Sequence, residues 1–283
     1  VMGEGIITDL NQLGAYFGKF ISNPVLGIFY QLIFMLLTAG TVVFGVQKGI
    51  ERLAKYLMPT LFLLMLVLIV RGLTLPGAWE GVEFMFSFNW EQFNAESLFN
   101  AMGFCFFSLS VGAGTLIVYA SYLSDEANLP HSTAWVAFLG ILAALLGGLM
   151  VMPAVFAFNL EPTAGPGLTF VTMPAVFAHM PFGQFFAILF YACLVVAALT
   201  SSVSIFEAVT AALNDLNMSR RTAVPVAFVS MMAIGIFCTM SFGPLADFNI
   251  FGKTIFDLLD YLTSNIGMPL TALGLAIIAA WIN

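Results

Sequence analysis

Residues 98–123 read LFNAMGFCFFSLSVGAGTLIVYASYL, an apolar run interrupted at its centre by serine and glycine. A membrane-spanning helix needs about 20 predominantly apolar residues, and this run is long enough. Its centre, Phe106 to Gly114, holds two serines, two glycines and one alanine. Glycine and serine lower the helix propensity of such a stretch. We therefore predict a membrane helix that is broken near Ser110 to Gly114.

Further apolar runs, each near the length of a membrane span, flank this segment at residues 25–46, 54–74, 132–157, 184–213, 222–242 and 254–282. Of the 283 residues, 61% are hydrophobic and 8% are charged, whereas soluble domains carry about a quarter charged residues. The runs are continuous rather than alternating, which argues against a transmembrane barrel. We predict an all-α, polytopic membrane helical bundle of about seven transmembrane helices, the third of them broken.

The composition also excludes several classes of function. The formal net charge is −7, so we expect no basic face for nucleic acid. The sequence contains no phosphate-binding loop of the form GxxxxGKS or GxxxxGKT. His131 and His179 are isolated from any metal-ligand or nucleophile–base pattern. An intramembrane enzyme would need such a pattern, so we expect no enzyme.

Two long connections, 75–97 and 158–183, separate the spans. The second contains an apolar stretch, Leu168 to Met180, that is too short to span and resembles a re-entrant or capping hairpin. Basic residues mark the cytoplasmic side of a membrane protein. Clusters of them follow the first and fifth runs, at Lys48, Arg52, Lys55, Arg220 and Arg221. This orientation makes both connections extracellular loops.

An interrupted membrane helix can serve as a ligand site. Its unwound backbone exposes carbonyl oxygens that suit a small cation, and the start of its second half suits a carboxylate. The alternative is a contact between helices that small residues permit, and this alternative remains open.

The fifth run contains a dense group of hydroxyl side chains, Thr200 to Ser204. Thr200 and Ser201 oxygens, joined by the Ala197 carbonyl one turn earlier, would give the hard oxygen ligands that Na⁺ needs. Hydroxyls in a helix also bond back to the preceding turn, which is the simpler explanation.

Acidic residues inside the spans are costly unless they have a role. Glu207 lies in the fifth run, and Asp257 and Asp260 lie one helical turn apart in the seventh. For Asp257 we expect only a solvated helix start. For Asp215, at the cytoplasmic end of the fifth run, a surface ion pair with one of the two arginines that follow it is a sufficient explanation.

Several short motifs occur one after another along the chain. They are Lys48-Gly49-Ile50-Glu51-Arg52, Met58-Pro59-Thr60-Leu61-Phe62, Phe106-Phe107-Ser108-Leu109-Ser110, Gly112-Ala113-Gly114, Tyr119-Ala120-Ser121-Tyr122, Gly147-Gly148 with Pro153, and Leu199-Thr200-Ser201-Ser202. In this order and spacing they resemble the neurotransmitter:sodium symporter family, particularly its bacterial amino-acid transporters.

This resemblance implies a partial inverted-repeat transporter fold. Residues 1–283 would form one transmembrane domain covering roughly the family's fourth to tenth helices, with 1–24 as the end of an outer loop. We expect a fragment of a multi-pass protein of the bacterial inner membrane, in contact with the lipid bilayer. The implied activity is sodium-coupled import of an amino acid by alternating access, with Na⁺ as the co-transported ion. The oligomeric state is not indicated.

The resemblance also assigns roles to individual residues. The substrate site would comprise Phe107, Ser108, Ser110, Ala113, Ser201 and Ile205. Sodium ligands would come from Ala197, Thr200, Ser201 and Ser108. Gating residues would be the aromatic lid Phe107, the outer acid Asp260, and the inner pair Asp215 and Tyr122.

The family pattern changes in the span at 132–157. The positions expected to complete the first sodium site fall at Leu139 and Gly140, and the one that decides chloride dependence falls at Ala143. None of these side chains can act as a ligand, so the first sodium site and any role for chloride stay open.

One expectation concerns the substrate, and one alternative concerns the function. Ala113 stands where the family's leucine carrier has phenylalanine, and Phe107 and Ile205, with Val203 nearby, would make the remaining wall apolar. This favours a bulky hydrophobic or aromatic amino acid over glycine or alanine. The alternative function is a transporter-like scaffold or regulatory subunit that binds without transporting.

Overall fold

The computed structural model describes residues 10–87, 90, 93–124, 126–162 and 165–281. Within these ranges the chain is built from helices and short connections. The α-helices before the middle of the chain are α1 (Leu10–Ile21), α2 (Pro24–Val43), α3 (Arg52–Leu73), α4 (Ala78–Phe86), α5 (Ala95–Ser108) and α6 (Thr115–Ser121). Those that follow are α7 (Leu129–Ala157), α8 (Gly165–Gly167), α9 (Met173–His179), α10 (Gly183–Asp215), α11 (Arg220–Met240), α12 (Ile255–Asp260) and α13 (Met268–Trp281).

In the part of the chain that the structure describes, three π-helical segments adjoin these helices. They are π1 (Val46–Glu51), which leads into α3, π2 (Leu168–Thr172), between α8 and α9, and π3 (Tyr261–Gly267), between α12 and α13. The sequence patterns do not predict them. Side-chain periodicity is similar in α and π turns over so few residues, so composition alone does not distinguish the two.

The predicted membrane spans are confirmed. Among the described residues, the helices long and apolar enough to cross a bilayer are Pro24–Val43, Gly49–Leu73, Leu129–Ala157, Gly183–Asp215, Arg220–Met240 and Ile255–Trp281. The remaining predicted span, 98–123, is divided into the shorter helices α5 and α6. The chain is therefore a multi-pass helical membrane protein with its third span broken.

The two long connections also contain helices. In 75–97 the short helix α4 carries Trp79, which is 74% exposed. In 158–183 the consecutive segments α8, π2 and α9 form one helical run from Gly165 to His179, too short to span. Met173, Val176 and Phe177 of this run are buried, so the run is supported by protein on one side. Residues 1–9, at the start of the predicted outer-loop segment, lie outside the described residues, as does the side chain of Lys48.

By its internal contacts the chain divides into two compact units. One comprises Val1–Asn23, Leu53–Phe88 and Ile141–Thr200, and the other comprises Pro24–Arg52, Asn89–Gly140 and Ser201–Asn283.

The first unit has an apolar core. Residues from α3, α7, α9 and α10 meet in it, among them Leu68, Met150, Phe177 and Phe190. The rings of Phe177 and Phe190 lie 5.4 Å apart between centroids. Lipid tails are as apolar as these side chains, so close dispersion contacts rather than exclusion from water stabilise this core.

In the second unit, α2 and α11 pack closely through small residues. An added Cβ at Gly27 would lie 2.5 Å from Thr239 Cγ2, and one at Gly235 would collide with the Gln31 amide. Thr239 donates its hydroxyl hydrogen to Gln31 Oε1 at 2.8 Å. Small residues that allow close approach, reinforced by a polar bond, are a common way to join membrane helices.

Candidate functional site

The break in the third span extends over six residues, Leu109 to Gly114. Helix α5 ends at Ser108 and α6 begins at Thr115. Between them the regular ladder is replaced by tight turns, such as Ser110 N–H to Phe107 O and Ala113 N–H to Ser110 O. The predicted interruption near Ser110 to Gly114 is thus confirmed.

Three residues of the break have left-handed backbone: Ser110 (φ 53°), Gly112 (φ 86°) and Gly114 (φ 79°). Glycine adopts this conformation freely, but a serine there costs about 1–2 kcal/mol. Such strain persists only where its surroundings enforce it, and it clusters at functional sites. A backbone so arranged leaves polar groups out of the helical ladder.

Gly112 has a second reason to be glycine. A Cβ at this position would collide with the carbonyl of Met268, where π3 passes into α13. The unwound stretch therefore lies directly against the backbone of the seventh predicted span. A larger residue would force these two backbone segments apart.

The predicted site residues of this span differ in exposure. Phe107 is 62% exposed, Ser108 and Ala113 are also exposed, and Ser110 is half-buried. These side chains are available to a ligand or to further protein.

On α10, Ser201 and Ile205 are one turn apart and both exposed, Ile205 by 51%. Their spacing puts them on one face of the helix. The expectation that Val203 contributes to the same wall is wrong, because Val203 is fully buried on another face.

Thr200 makes the local bonds that the simpler explanation predicted. Its hydroxyl donates to the carbonyls of Ala197 at 2.9 Å and Val196 at 3.1 Å. A threonine oxygen in this arrangement still has lone-pair capacity for a cation. The hydroxyl and the Ala197 carbonyl are already adjacent, as a shared cation would require.

The most deeply buried charge in the described residues belongs to Glu207, whose side chain is fully buried. The Arg220 guanidinium donates to both of its carboxylate oxygens, at 3.0 and 2.6 Å, and to the Val42 carbonyl at 2.8 Å. The Tyr122 phenol donates to Glu207 Oε1 at 2.7 Å. Every charge in this cluster is thereby compensated.

This cluster corrects one expectation, that Asp215 forms a surface ion pair with one of the two arginines that follow it. Arg220 is bonded to Glu207 instead, and the part of the chain that the structure describes shows no ion pair between Asp215, exposed at the end of α10, and Arg221. The sequence did contain a signal, an acid inside a span that needs a cationic partner. It did not reveal which arginine would reach it.

A second phenol, that of Tyr119, joins α6 to α10. It donates to Ser204 Oγ at 2.8 Å. Ser202 of α10 shares a hydrogen bond of 2.9 Å with the Thr38 hydroxyl of α2. The hydroxyls of α10 thus have specific partners that sequence reasoning did not identify.

The two aspartates of the seventh span have different surroundings. The Thr254 hydroxyl accepts from the Asp257 amide at 3.1 Å and donates to its carboxylate at 2.8 Å. Asp257 is thus part of the helix start, as expected. Asp260 is exposed and accepts a hydrogen bond from the Ser264 hydroxyl at 3.1 Å, so its carboxylate is oriented but accessible.

Helix α7 has no polar side chain at the three positions where the family resemblance would place ligands for the first sodium site or for chloride, Leu139, Gly140 and Ala143. Leu139 is 44% exposed, and a Cβ at Gly140 would lie 3.3 Å from Leu109 of the break. Ala143 is half-buried. None of these three side chains carries an oxygen or nitrogen donor for an ion.

A family profile described as "Sodium:neurotransmitter symporter family" matches residues 23–283. The chain belongs to this family. It is 41% identical over 273 residues to an uncharacterized sodium-dependent transporter of Bacillus subtilis, YhdH, with 95% of this chain and 60% of that protein covered. An uncharacterized sodium-dependent transporter of Haemophilus influenzae is 39% identical over 263 residues, with 92% and 58% covered.

A solved structure, the crystal structure of MhsT in complex with L-phenylalanine, is similar in fold. Its TM-score is 0.88 at 39% sequence identity, over 96% of this chain and 62% of that one. The chain thus spans about three fifths of the length of these relatives. Membership in the family confirms the resemblance inferred from the sequence motifs.

Proposed function

We propose that the full-length product of this gene is a sodium-coupled symporter that imports an amino acid by alternating access. The observation that carries the proposal is the unwound stretch Leu109 to Gly114 in a span of a family member. Discontinuous membrane helices supply transporters with backbone groups for substrate and ion at the middle of the bilayer. No covalent chemistry is required, and we propose no enzymatic role.

The substrate site would use both sides of the break. Phe107 closes over the substrate as an aromatic lid, and Ser108 and Ser110 offer hydroxyls near the unwound backbone. Ala113, together with Ile205 and Ser201 of α10, lines the pocket. The exposure of Phe107, Ala113, Ser201 and Ile205 supports these roles because a ligand can reach them.

Sodium would be held by hard oxygen donors. The Ala197 carbonyl and the hydroxyls of Thr200 and Ser201 provide one set on α10, and Ser108 provides a donor for a first site. The 2.9 Å bond between Thr200 and Ala197 supports this, since both oxygens already converge. The side chains of Leu139, Gly140 and Ala143 offer no ligand, so any first site and any chloride role need donors from elsewhere.

The gates would lie at opposite ends of the spans. Asp260 acts as the acid of the outer gate, while Asp215 and Tyr122 belong to the inner gate. In this arrangement the connections 75–97 and 158–183 face the cell exterior, and the protein lies in the bacterial inner membrane.

We propose a bulky hydrophobic or aromatic amino acid as the substrate. A methyl group at Ala113 leaves room in the pocket wall, and a small substrate there would lose dispersion contacts. A charged substrate side chain would be desolvated among Phe107 and Ile205 without a partner. The similar structure of MhsT was solved with L-phenylalanine, which supports this class.

Uptake measurements in cells test the proposal. Cells that express the full-length protein are given radiolabelled tryptophan in a buffer that contains either Na⁺ or K⁺. In a second measurement, unlabelled amino acids compete with the labelled tryptophan for uptake. We expect uptake only with Na⁺, and stronger competition by phenylalanine, tyrosine and leucine than by glycine and alanine. Binding without uptake would support the scaffold alternative, and preferential competition by glycine or alanine would refute the proposed substrate class.

A further inference from the structure

Helices α6 and α10 are joined by two tyrosine hydroxyls. Tyr119 bonds Ser204, and Tyr122 bonds Glu207, and in both pairs the partners are 85 residues apart in the sequence. A step of three residues, from Tyr119 on α6 to Tyr122 directly after its last residue, thus matches a step of three on α10. The two helices therefore run in the same direction where they meet, and one face of α6 is held in register with α10.

The two bonds differ in what surrounds them. The bond to Glu207 is part of a charged cluster that Arg220 completes. The bond between Tyr119 and Ser204 is a neutral pair at 2.8 Å, half-buried between the helices. Its role is therefore separable from that of the charged cluster.

Ser204 lies one helical turn beyond Ser201 and is adjacent to Ile205. Any sliding or rotation of α10 against α6 at Ser204 would move the Ser201 hydroxyl by a similar amount. The affinity of a site that binds a cation through hard oxygens depends steeply on the distance and direction of each donor. The Tyr119–Ser204 bond thus holds the Ser201 hydroxyl, a proposed sodium ligand, in a fixed position relative to α6.

We infer that Tyr119 and Ser204 are a positioning pair that sets the affinity for the co-transported sodium ion by holding α10 in register with the inner half of the broken span. The inference rests on the proposed function, since it needs Ser201 to be a sodium ligand. Neither Tyr119 nor Ser204 touches the ion or the amino acid in this account. Their hydroxyls act through the placement of α10.

The test uses purified full-length protein and labelled tryptophan binding, titrated with Na⁺. The variants are Tyr119→Phe, Ser204→Ala, the double variant, and Ser204→Thr, which keeps a hydroxyl. A matched control is Tyr191→Phe, because Tyr191 also lies on α10 and its phenol also makes one neutral bond, to the Thr169 carbonyl at 3.1 Å.

We expect each single variant to raise the Na⁺ concentration for half-maximal binding by about threefold to tenfold, the factor that the loss of one such bond produces. Tryptophan affinity at saturating Na⁺ stays unchanged, the double variant is no worse than either single one, and Ser204→Thr and Tyr191→Phe match the wild type.

Two results would overturn the inference. If the variants lower the melting temperature but bind tryptophan with the same Na⁺ dependence as the wild type, the pair has a structural role alone. In that case the Na⁺-dependent binding of the wild type would still support the proposed function. Wild-type binding that does not depend on Na⁺ would contradict the proposed function and the positioning role together.

Discussion

The Arg220 guanidinium lies 2.6 Å from the carboxylate of Glu207, whose side chain is completely buried within a predicted membrane span. A charge in this position is expensive unless it is paired and hydrogen-bonded. The Tyr122 phenol and the Val42 carbonyl complete the set of bonds around the pair. Residues from α2, α10 and α11 and the end of α6 are thereby tied to one carboxylate.

Replacing Glu207 by alanine should strongly destabilise the protein. The change leaves the Arg220 charge and the Tyr122 hydroxyl without their acceptor, and breaking a buried pair on one side costs about 3–5 kcal/mol. Thermal unfolding in detergent measures the loss. Asp215→Asn is the matched control, because Asp215 is an exposed acid on the same helix, and we expect little change. Equal melting temperatures for the two variants would show that the pair does not stabilise the fold.

Gly112→Ala should abolish substrate binding and lower stability. The substitution forces left-handed backbone on alanine, at about 1–2 kcal/mol, and drives its Cβ into the Met268 carbonyl. Two glycine controls separate these effects. Gly114 has φ 79° with open space around its Cβ, and Gly103 is in α5 with open space as well.

We expect a graded series in which Gly112→Ala is worst, Gly114→Ala is intermediate and Gly103→Ala is near wild type. Tryptophan binding measures the effect on the substrate site, and the melting temperature measures the loss of stability. If Gly103→Ala were as damaging as Gly112→Ala, the account of the break would be wrong.

Much of the fold was predictable from the sequence because its signals are local. Long apolar runs identify the spans, and the serines and glycines between Phe106 and Gly114 identify the break. The Thr254–Asp257 helix start likewise follows from residues three apart. Each of these features depends on neighbours within a turn or two.

The remaining features depend on how helices meet. Arg220 reaches Glu207 because the chain reverses after α10, where Asn217 adopts φ 65°, and the sequence does not fix that geometry. The burial of Val203, beside the exposed Ile205, is set by which face of α10 packs inward. The Tyr119–Ser204 bond requires the register of two helices, which no motif encodes.

Ser201→Ala should weaken the dependence on sodium. The variant removes one hydroxyl oxygen from the proposed ion site, and a bond to a charged group is worth about 1.5–3 kcal/mol. We expect the Na⁺ concentration for half-maximal uptake to rise by about tenfold or more. The control is Ser230→Ala. Ser230 is exposed on α11, and its hydroxyl donates to the Ala227 carbonyl one turn earlier. Unchanged sodium dependence in Ser201→Ala would refute its assignment.

Ala113→Phe should shift the substrate preference towards small amino acids. A ring at this exposed position fills the space that a bulky side chain would use. One pocket group of this kind changes discrimination by about 1–3 kcal/mol. Competition of glycine, alanine and tryptophan for uptake, compared between variant and wild type, measures the shift. Tryptophan preference unchanged by the added ring would place Ala113 outside the pocket.

The most direct test of sodium-coupled transport is accumulation in proteoliposomes that contain the purified full-length protein. Tryptophan is supplied at equal concentration inside and outside, and an inward Na⁺ gradient is imposed. The account predicts that tryptophan accumulates inside above its external concentration, and that a sodium ionophore abolishes this accumulation. Equal tryptophan concentrations on both sides throughout, with the protein shown to be folded and able to bind, would contradict it.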